Sequence, residues 1–497
     1  MPTPAALPHN TRPAGAEPIS SPGATAPTTT LAEQIVQWAT HRIQEQVFRP
    51  GMRMPSVRQL ALDRGVSRFT VVEAYDRLVA RGYLQARQGS GFFVRERASK
   101  TVRRAKVSTP PPRPIDMGWL IRNMQSGIAA DMAPGFGYLP PELCGGELMR
   151  SGLRSVSNTV GLQLSHTGLA HGYTPLREQL SRKLEEMEIA STPAQILTTS
   201  GSTQAIDLVV RHFLQAGDSV VVGDPAWSAQ LASLTMAGVK VLGMPYTAAG
   251  PDVKALAELA ATHKPKMLLI NTPLHNPTGT LLNAASAYQI LRIAEVHDMV
   301  VVEDDIYADF LPGGVQAARL ASLDQLKRVI YVGSFSKTLV PGIRVGYLAA
   351  SVDLIEALAG LKLLTSFATP EINERVVYQA LTQGSYRKHC QRMHAALEAL
   401  REPVFKRYEA MGLKAFCRPL AGFLGWFDTG VDTASLAAQG LEAGYLLAPG
   451  AIFSPQQTPS TWMRLNISTS QNPSMLKWMA KTLDQLRNVQ ARANTSL

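Results

Sequence analysis

Short apolar runs that end in polar residues recur through the middle of this 497-residue chain and limit its fold more than any other feature. Five such runs are Ser219–Val222, Met267–Ile270, Val300–Val302, Val329–Val332 and Val345–Ala349. Runs of this kind, alternating with helical stretches, are typical of parallel strands that are buried on both faces of a sheet. Because ligands bind at the carboxyl ends of strands in an open α/β sheet, the polar residues that follow these runs are predicted to share one site.

Composition divides the chain into four parts. Residues 1–30 are rich in Pro, Ala and Thr and are predicted to be a disordered tail, because they hold almost no large apolar groups. Residues 31–95 are predicted to form a compact helical unit that ends in strands. Residues 96–114 are basic and end in prolines, as expected of a linker, and residues 115–490 continue as one long α/β pattern.

Positive charge is concentrated near the N-terminus. The chain has a net charge of +11, and residues 31–113 alone hold 16 lysines and arginines against 6 aspartates and glutamates. A basic excess confined to one part of a chain indicates a polyanionic partner such as nucleic acid. The alternative is a small domain with a well-solvated surface.

Cysteine content and hydropathy bound the environment. The chain has only three cysteines, Cys144, Cys390 and Cys417, which excludes a disulfide framework or a cysteine-rich metal site and fits a reducing cytoplasm. No apolar run approaches the roughly 20 residues that a membrane-spanning helix needs. The first residues lack a charged start followed by an apolar stretch, so no secretory signal is expected, and the predicted location is cytoplasmic.

Capping residues predict three helices in the basic unit. A helical apolar pattern runs from Leu31 to Phe48. Ser56 and Gln59 form a capping box that opens a second helix, which Gly65 ends. Ser67 is the predicted N-cap of a third helix.

The third helix is predicted to have one buried face, and two short strands follow it. The strands are expected at Tyr83–Leu84 and Phe92–Val94. Helix, turn, helix and strand pair is the layout of a winged helix-turn-helix, in which the third helix enters the major groove of DNA. The alternative is a three-helix bundle with solvated arginines. The residues predicted to be buried on this helix are Val71, Ala74, Tyr75 and Leu78.

The segment from Pro50 to Val94, PGMRMPSVRQLALDRGVSRFTVVEAYDRLVARGYLQARQGSGFFV, closely resembles the DNA-binding domain of GntR-family bacterial transcription regulators. It departs from the family pattern at Met54, where Leu is usual, and at Phe69, where a polar residue is usual. The resemblance implies double-stranded promoter DNA as a partner. The DNA contacts it implies are Arg58, Ser67, Arg68, Thr70 and the wing around Gly89.

Four motifs in the large part of the chain fit the chemistry of pyridoxal 5′-phosphate (PLP). In the first, Lys337 follows Ser334 and Ser336 and precedes Arg344. A lysine can form a Schiff base with the cofactor aldehyde, and hydroxyls with an arginine suit its phosphate. Taken alone, a lysine after a strand is usually a surface residue.

The second and third motifs supply groups for the pyridine ring. A buried carboxylate against the ring nitrogen keeps that nitrogen protonated, and either Asp304 or Asp305 can provide it, with the spacing to Tyr307 favouring Asp304. Tyr307 and Asn276 can bond the phenolic oxygen of the ring. The alternatives are an acidic strand end that caps the next helix and an ordinary polar turn.

The fourth motif opens a helix predicted at Ala205–Phe213. Ser202 and Thr203 precede it, and exposed N–H groups at a helix start favour a phosphate, although serine and threonine are also ordinary N-caps. Trp227 can stack on the face of the ring, whereas a lone aromatic residue more often belongs to a core.

Together these motifs resemble fold-type I aminotransferases, nearest to the aminoadipate/kynurenine aminotransferase-like group, over residues 130–470. The resemblance implies a large, mostly parallel α/β domain with a small C-terminal α+β subdomain, and no metal. It makes Lys337 the catalytic lysine that holds PLP as an internal aldimine. It also implies that Tyr173 reaches a partner subunit's cofactor and that Arg464 grips a substrate carboxylate. The cofactor-binding residues it implies are Ser202, Thr203, Trp227, Asn276, Asp304, Tyr307, Ser334, Ser336 and Arg344.

A GntR-type domain joined to an aminotransferase-like domain resembles the MocR/GabR branch of regulators. This resemblance implies a PLP-dependent transcription regulator that senses PLP or an amino compound through an aldimine at Lys337. It also implies a head-to-tail homodimer and a small amine or amino-acid effector. Two alternatives stay open: an active aminotransferase with an autoregulatory DNA-binding head, and a chain that binds PLP only structurally.

Overall fold

The computed structural model describes residues 29–95, 115–116, 118–159, 167–315 and 317–495. Almost all of the predicted tail, residues 1–28, and the whole predicted linker, residues 96–114, lie outside the described residues. Contacts between residues separate the chain into two units, residues 1–111 and 112–497.

The first unit contains three helices and a strand pair among its described residues. Ser56 and Ser67 cap their helices, since each hydroxyl accepts a hydrogen bond from the backbone N–H three residues on, at 3.2 and 3.1 Å. Gly65 ends the second helix with a φ of +60°, which glycine adopts without strain. The elements are α1 (Leu31–Gln44), α2 (Val57–Arg64), α3 (Arg68–Ala80), β1 (Leu84–Arg87) and β2 (Gly91–Val94).

The buried face predicted for α3 is confirmed. Val71, Ala74, Tyr75 and Leu78 are each fully buried and form the core of the unit with residues of α1 and α2. The strands β1 and β2 pair antiparallel, with Leu84 opposite Val94, and form the wing. The first unit is therefore a winged helix, and we call residues 31–95 the winged-helix unit.

Two details of the predicted helices are wrong. Helix α1 ends at Gln44 rather than Phe48, because Gln46 takes a left-handed φ of +59° and the N–H groups of Val47 and Phe48 both turn back to the carbonyl of Arg42. The capping box at Ser56 is only half formed. The Gln59 side chain donates to Asp63 at 2.8 Å instead of to the Ser56 backbone, because a carboxylate one turn away is the stronger acceptor.

The second unit is built on an eight-stranded sheet that contains all five predicted runs. Its order is β3-β10-β9-β8-β7-β4-β5-β6, and the strands from β9 to β5 run parallel. Its strands are β3 (Ile196–Thr199), β4 (Ser219–Asp224), β5 (Lys240–Thr247), β6 (Gly250–Pro251), β7 (Met267–Asn271), β8 (Val300–Asp304), β9 (Val329–Ser334) and β10 (Gly346–Ala349).

The run Val345–Ala349 was expected to be parallel, and this is wrong. It begins one residue later, as β10, and pairs antiparallel with both β3 and β9. A parallel neighbour needs a crossover of a dozen or more residues, usually a helix, and the connection from Ser334 to Gly346 is shorter than that.

The sheet is buried on both faces, as the apolar runs predicted. Along β7, Met267 and Leu269 belong to one apolar core, while Leu268 and Ile270 belong to the other. Helices cover both faces. The helices of this unit are α4 (Trp119–Met124), α5 (Gly146–Ser157), α6 (Thr174–Glu185), α7 (Ser202–Phe213), α8 (Ser228–Met236), α9 (Val253–His263), α10 (Ala284–Val296), α11 (Leu320–Asp324), α12 (Val352–Ser366), α13 (Glu371–Thr382), α14 (Ser385–Ala410), α15 (Thr433–Glu442) and α16 (Pro473–Thr495).

A small antiparallel sheet near the C-terminus forms a subdomain with its own core, packed against α14, α15 and α16. This agrees with the α+β subdomain expected there. Within the described residues, no helix combines the length and the apolar character that crossing a bilayer requires. The strands, in the order β11-β12-β14-β13, are β11 (Lys414–Ala415), β12 (Leu424–Asp428), β13 (Ala448–Pro449) and β14 (Trp462–Asn466).

Candidate functional site

A cavity of about 430 Å³ lies where β7, β8 and β9 end and α7 begins. This is the edge of the sheet at which the polar residues after the apolar runs were predicted to meet. The cavity brings together ten of the predicted site residues. They are Ser202, Thr203, Trp227, Asn276, Asp304, Tyr307, Ser334, Ser336, Lys337 and Arg344.

Lys337 extends into the cavity from the loop after β9. Its Nζ donates to the carbonyl of Gly137 at 2.5 Å and lies 3.8 Å from the ring centroid of Tyr138. Burial, followed by the positive charge of Arg464, lowers the pKa of Lys337 to about 7. A large fraction of this amine is therefore neutral near neutral pH, as a nucleophile toward an aldehyde must be.

Of the two adjacent aspartates, Asp304 faces the cavity. Its Oδ2 accepts a hydrogen bond from Gln230 at 2.7 Å, and its buried Oδ1 has no partner among the described residues. Burial raises the pKa of Asp304 to about 7. Asp305 points elsewhere, since its Oδ2 accepts from Arg319 Nε at 2.7 Å and from the Tyr331 hydroxyl at 3.0 Å.

Asn271 joins the two strand ends that frame the cavity. Its Nδ2 donates to the backbone carbonyl of Asp304 at 2.6 Å, and its Oδ1 accepts from the backbone N–H of Asn276 at 2.7 Å. Nearby, the buried hydroxyl of Tyr307 has no hydrogen-bond partner among the described residues. The cavity wall thus holds polar groups, in Asp304 and Tyr307, that lack hydrogen-bond partners among the described residues.

Arg464 on β14 is fully buried and holds only neutral acceptors. Its Nη1 donates to Asn276 Oδ1 at 3.1 Å and its Nη2 to the carbonyl of Gly135 at 2.8 Å, while its Nε has no partner among the described residues. Its guanidinium carbon lies 5.1 Å from the ring centroid of Trp227, which lines the cavity. Burial lowers the pKa of Arg464 to about 10. A buried cation without a carboxylate strongly favours an anionic ligand.

The end of the cavity at the start of α7 suits a phosphate. Ser202 and Thr203 are the first residues of α7, whose N-cap, Gly201, supplies no side chain to bond the free N–H groups. Arg344 reaches the same end, where its Nη2 donates to the carbonyl of Ser200 at 2.8 Å. Gly201 has a φ of +87°, and a Cβ there would lie 2.7 Å from the Arg344 guanidinium. The positive φ favours glycine at this position, and a Cβ there would displace the end of the Arg344 side chain.

These groups fit PLP in chemistry and in place. The unpaired buried oxygens of Asp304 and Tyr307 match a protonated ring nitrogen and a phenolic oxygen, and the start of α7 with Arg344 matches a phosphate. Lys337 would hold the aldehyde carbon. The orphaned oxygens carry this assignment, since buried polar groups are almost always paired in a complete site.

Sequence reasoning missed several residues of the cavity wall. Asn271 directly follows the run Met267–Ile270, so it belongs to the polar residues predicted to share one site, but sequence reasoning gave it no role. Tyr138 and Gln230 belong to no motif, and only the folded chain brings them to the cavity. The same holds for three residues at or just after α4, namely Ile121, Met124 and Gln125.

Tyr173 does not line the cavity of its own chain. It precedes α6, where its ring lies 4.4 Å from the Arg375 guanidinium carbon and edge-on to Tyr378 at 5.8 Å. Its predicted reach toward a partner subunit's cofactor stays a prediction.

The winged-helix unit presents the predicted DNA contacts in three different ways. Arg58 and Arg68 are exposed, and no acidic side chain among the described residues forms a salt bridge with either. The Ser67 hydroxyl caps α3 and lies 2.8 Å from the Thr70 hydroxyl, so both are held at the start of that helix. Gly89 lies exposed in the turn of the wing with a φ of +73°.

Comparison with known proteins supports both units. The family model described as "Aminotransferase class I and II" matches residues 161–482, and that of "Bacterial regulatory proteins, gntR family" matches residues 31–94. The HTH-type transcriptional regulator TauR of Rhodobacter capsulatus is 30% identical over 92% of this chain and 96% of its own length. The HTH-type transcriptional regulator YdfD of Bacillus subtilis is 28% identical over 87% of this chain and 91% of its own.

Solved aminotransferases share the fold of the second unit. The α-aminoadipate aminotransferase LysN of Thermus thermophilus, complexed with N-(5′-phosphopyridoxyl)-L-leucine, is 25% identical with a TM-score of 0.67 and covers 74% of this chain and 95% of its own. The kynurenine aminotransferase of Pyrococcus horikoshii is 25% identical with a TM-score of 0.68, over 78% of this chain and 98% of its own.

The second unit is thus a fold-type I, PLP-dependent aminotransferase domain. The chain belongs to the aminotransferase class I and II family and carries a GntR-type DNA-binding domain at its N-terminus, the organisation of MocR-type GntR regulators.

Proposed function

We propose that the chain is a PLP-dependent transcription regulator whose cavity binds an amine or amino acid and thereby changes DNA binding by the winged-helix unit. The observation that carries this proposal is the cavity that joins Lys337, Asp304 and Arg344. The same chain holds a winged helix with exposed arginines that have no acidic partner among the described residues. We expect a double-stranded promoter as the DNA partner and a cytoplasmic location for the chain.

The residues of the cavity divide the recognition of an amino acid between them. When bound, PLP supplies an aldehyde that condenses with primary amines and a ring that withdraws electrons. The lowered pKa of Lys337 makes its amine both a good partner for that aldehyde and one that another amine can displace. Arg464 offers two charge-assisted hydrogen bonds to a carboxylate. A ligand that has both an amino group and a carboxylate can use the aldehyde at Lys337 and also Arg464, so the site favours an α-amino acid over a simple amine.

A change at Lys337 can reach other parts of the chain through the segment Gly135–Tyr138. In this structure the Lys337 amine donates to the carbonyl of Gly137, and Arg464 donates to the carbonyl of Gly135 in the same segment. Asn466 holds this segment as well, through the carbonyls of Phe136 and Tyr138. The segment follows α4, the first helix after the predicted linker. An effector changes DNA affinity only by as much as its own affinity differs between two conformations of the chain. This segment contacts Lys337 and Arg464, the two groups proposed to bind the effector.

A second copy of the chain is the proposed partner of an apolar surface beside Tyr173. Leu169, Leu364, Phe367 and Ile372 are exposed, by 60, 86, 66 and 39% respectively. Gly168, which precedes Leu169, faces Ala368 and Glu371. These two residues are the sequence neighbours of Phe367 and Ile372, so the exposed apolar residues lie close together. Apolar clusters of this kind mark interfaces, and a two-fold dimer here would bring Tyr173 next to the neighbouring chain. Two winged-helix units per dimer fit repeated or palindromic half-sites in DNA.

The central test compares the wild-type chain with Lys337→Ala. The wild type should show a visible absorbance band with PLP that shifts when amino acids are added, and the variant should lack that band. Promoter DNA should bind both proteins equally without effector, because Lys337 is not in the winged-helix unit. Only the wild type should change its DNA affinity with an amino acid, and an equal effector response in both proteins would contradict the proposal.

A second candidate function is transamination itself, favoured by the complete set of cavity residues together with Arg464. Its test is multiple turnover with a panel of amino acids and a 2-oxo acid. Turnover that Lys337→Ala abolishes supports an active enzyme, whereas a spectral shift without turnover supports a sensor.

A further inference from the structure

We infer that Phe69 determines DNA sequence specificity by placing its ring against the 5-methyl group of a thymine in the major groove. The inference rests on the proposed binding of DNA by the winged-helix unit, with α3 as its recognition helix, the helix that enters the major groove. It goes beyond that function by assigning a base type to one residue.

Phe69 is unusual in its exposure and its position. Its side chain is 78% exposed, although it is a large apolar residue, and it is the second residue of α3. Val72, three residues on and so a neighbour on the helix surface, is 39% exposed. The fully buried residues of α3, such as Val71 and Leu78, point into the core. The start of α3 therefore presents a small apolar surface to solvent.

The positive charge around this apolar surface favours DNA as its binding partner. Arg68 precedes Phe69 and Arg58 lies on α2; both are exposed, and neither forms a salt bridge with an acidic residue among the described residues. By contrast, Arg77 and Arg81, near the other end of α3, both pair with Glu33 at 3.0 Å. Within α3, the arginine without an acidic partner among the described residues is thus Arg68, at the start of the helix. A recognition helix enters the major groove with its N-terminal residues toward the base edges.

The chemistry of the groove then restricts the base. A phenyl ring cannot donate or accept a conventional hydrogen bond, so it gains nothing from the donors and acceptors of the base edges. The thymine 5-methyl is the apolar group that a base pair presents in the major groove, and phenylalanine is among the residues that contact it. Guanine or cytosine opposite Phe69 would leave polar edge atoms against the ring, at a desolvation cost. We therefore expect thymine at the base pair that Phe69 faces.

The experiment begins with selection of bound sequences from a random double-stranded DNA library, using the full-length chain. Wild type, Phe69→Ala, Arg68→Ala and Leu62→Ala are compared. Leu62 is the matched control, because it is 70% exposed in the same unit but lies on α2. The wild-type motif should contain a thymine that becomes variable in Phe69→Ala and stays fixed in Leu62→Ala. Since Phe69 packs against no core residue, the variant should fold, and its melting curve checks this.

A second step isolates the methyl group. The selected thymine is replaced by deoxyuridine, which removes only the methyl. Wild-type affinity should fall about fourfold, the value expected for one buried methyl-sized group, and Phe69→Ala should bind the thymine and uracil sites equally. Equal wild-type affinity for the two sites would overturn the inference.

The outcomes separate this inference from the function on which it rests. If Arg68→Ala changes the motif and Phe69→Ala does not, α3 reads DNA but Phe69 does not choose the base. If the wild type enriches no motif at all, the proposed DNA-reading function fails and the inference fails with it.

Discussion

Arginine is used in opposite ways in the two units of the chain. In the winged-helix unit, Arg58 and Arg68 are exposed and lack acidic partners among the described residues. In the aminotransferase unit, Arg464 is fully buried, and its pKa is lowered by that burial. Exposed cations bind a polyanion weakly at each contact and compete with salt, whereas a buried cation binds one anion tightly and is shielded from salt. The winged-helix unit therefore offers a surface suited to a long polyanion such as DNA, whereas the aminotransferase unit offers a site suited to one small anionic molecule.

The largest effect expected from this contrast is on salt dependence. Raising salt from 50 to 200 mM should weaken binding of promoter DNA by about 1000-fold, because phosphate contacts release condensed counterions. Amino-acid binding in the cavity should change only slightly over the same range. Fluorescence anisotropy of labelled DNA and the absorbance of the PLP band measure the two affinities on one protein sample.

Single substitutions refine the salt experiment. Arg58→Ala and Arg68→Ala should each reduce the slope of log affinity against log salt by about one. Arg418→Met, which removes an exposed arginine that pairs with Glu409 in the small subdomain, is the control and should leave the slope unchanged. A flat salt profile for the wild type would place DNA binding outside this unit.

The next effect concerns Arg464. Arg464→Met should weaken the binding of α-amino acids about 100-fold, because two charge-assisted hydrogen bonds to the carboxylate are lost. Amines that lack a carboxylate should bind with nearly unchanged affinity. Titration of the PLP band with an amino acid and its decarboxylated amine gives both values. An equal loss for both ligands would mean that Arg464 maintains the cavity and does not grip the carboxylate.

A smaller effect is expected from pH. The pKa of Lys337 is lowered to about 7, so its neutral fraction rises about tenfold between pH 6 and pH 8 and then levels off. The rate at which the apoprotein takes up PLP should follow that fraction. A lysine with an ordinary pKa near 10.5 would give a rate that keeps rising well above pH 8. Stopped-flow absorbance at several pH values distinguishes the two profiles.

The smallest effect is expected at Ser67. Ser67→Ala should lower the local free energy of unfolding of α3 by about 1 kcal/mol, because the N-cap hydrogen bond is lost. Ser67→Asp should keep the cap but repel phosphates, so stability is retained while DNA affinity falls. Hydrogen exchange of the α3 amides measures the first effect and DNA titration the second. Ser90→Ala in the wing turn is the control for stability.

Sequence predicted most where a local rule decides the structure. Ser56, Gly65 and Ser67 set the boundaries of α2 and α3 because caps and left-handed turns depend on a few adjacent residues. The strand runs were found because both faces of the sheet are buried. Strand direction was missed at Gly346–Ala349, since an apolar run reads the same whether its neighbours are parallel or antiparallel.

The candidate site was predictable only in part, for a related reason. Lys337, Asp304 and Arg344 follow strands in recognisable motifs and meet in one cavity. Tyr138 and Gln230 come from segments whose approach to the cavity depends on long-range packing. No local pattern marks such residues.

Asn271 braces the cavity by joining two of its walls. One carboxamide holds the backbone of Asp304 and of Asn276 at the same time, so a single side chain fixes the spacing between two walls. A shift of either wall therefore pulls on the other, so the positions of Asp304 and Asn276 cannot be adjusted one by one. Such a cavity positions its ligand accurately, but a substitution that moves one wall also moves the other.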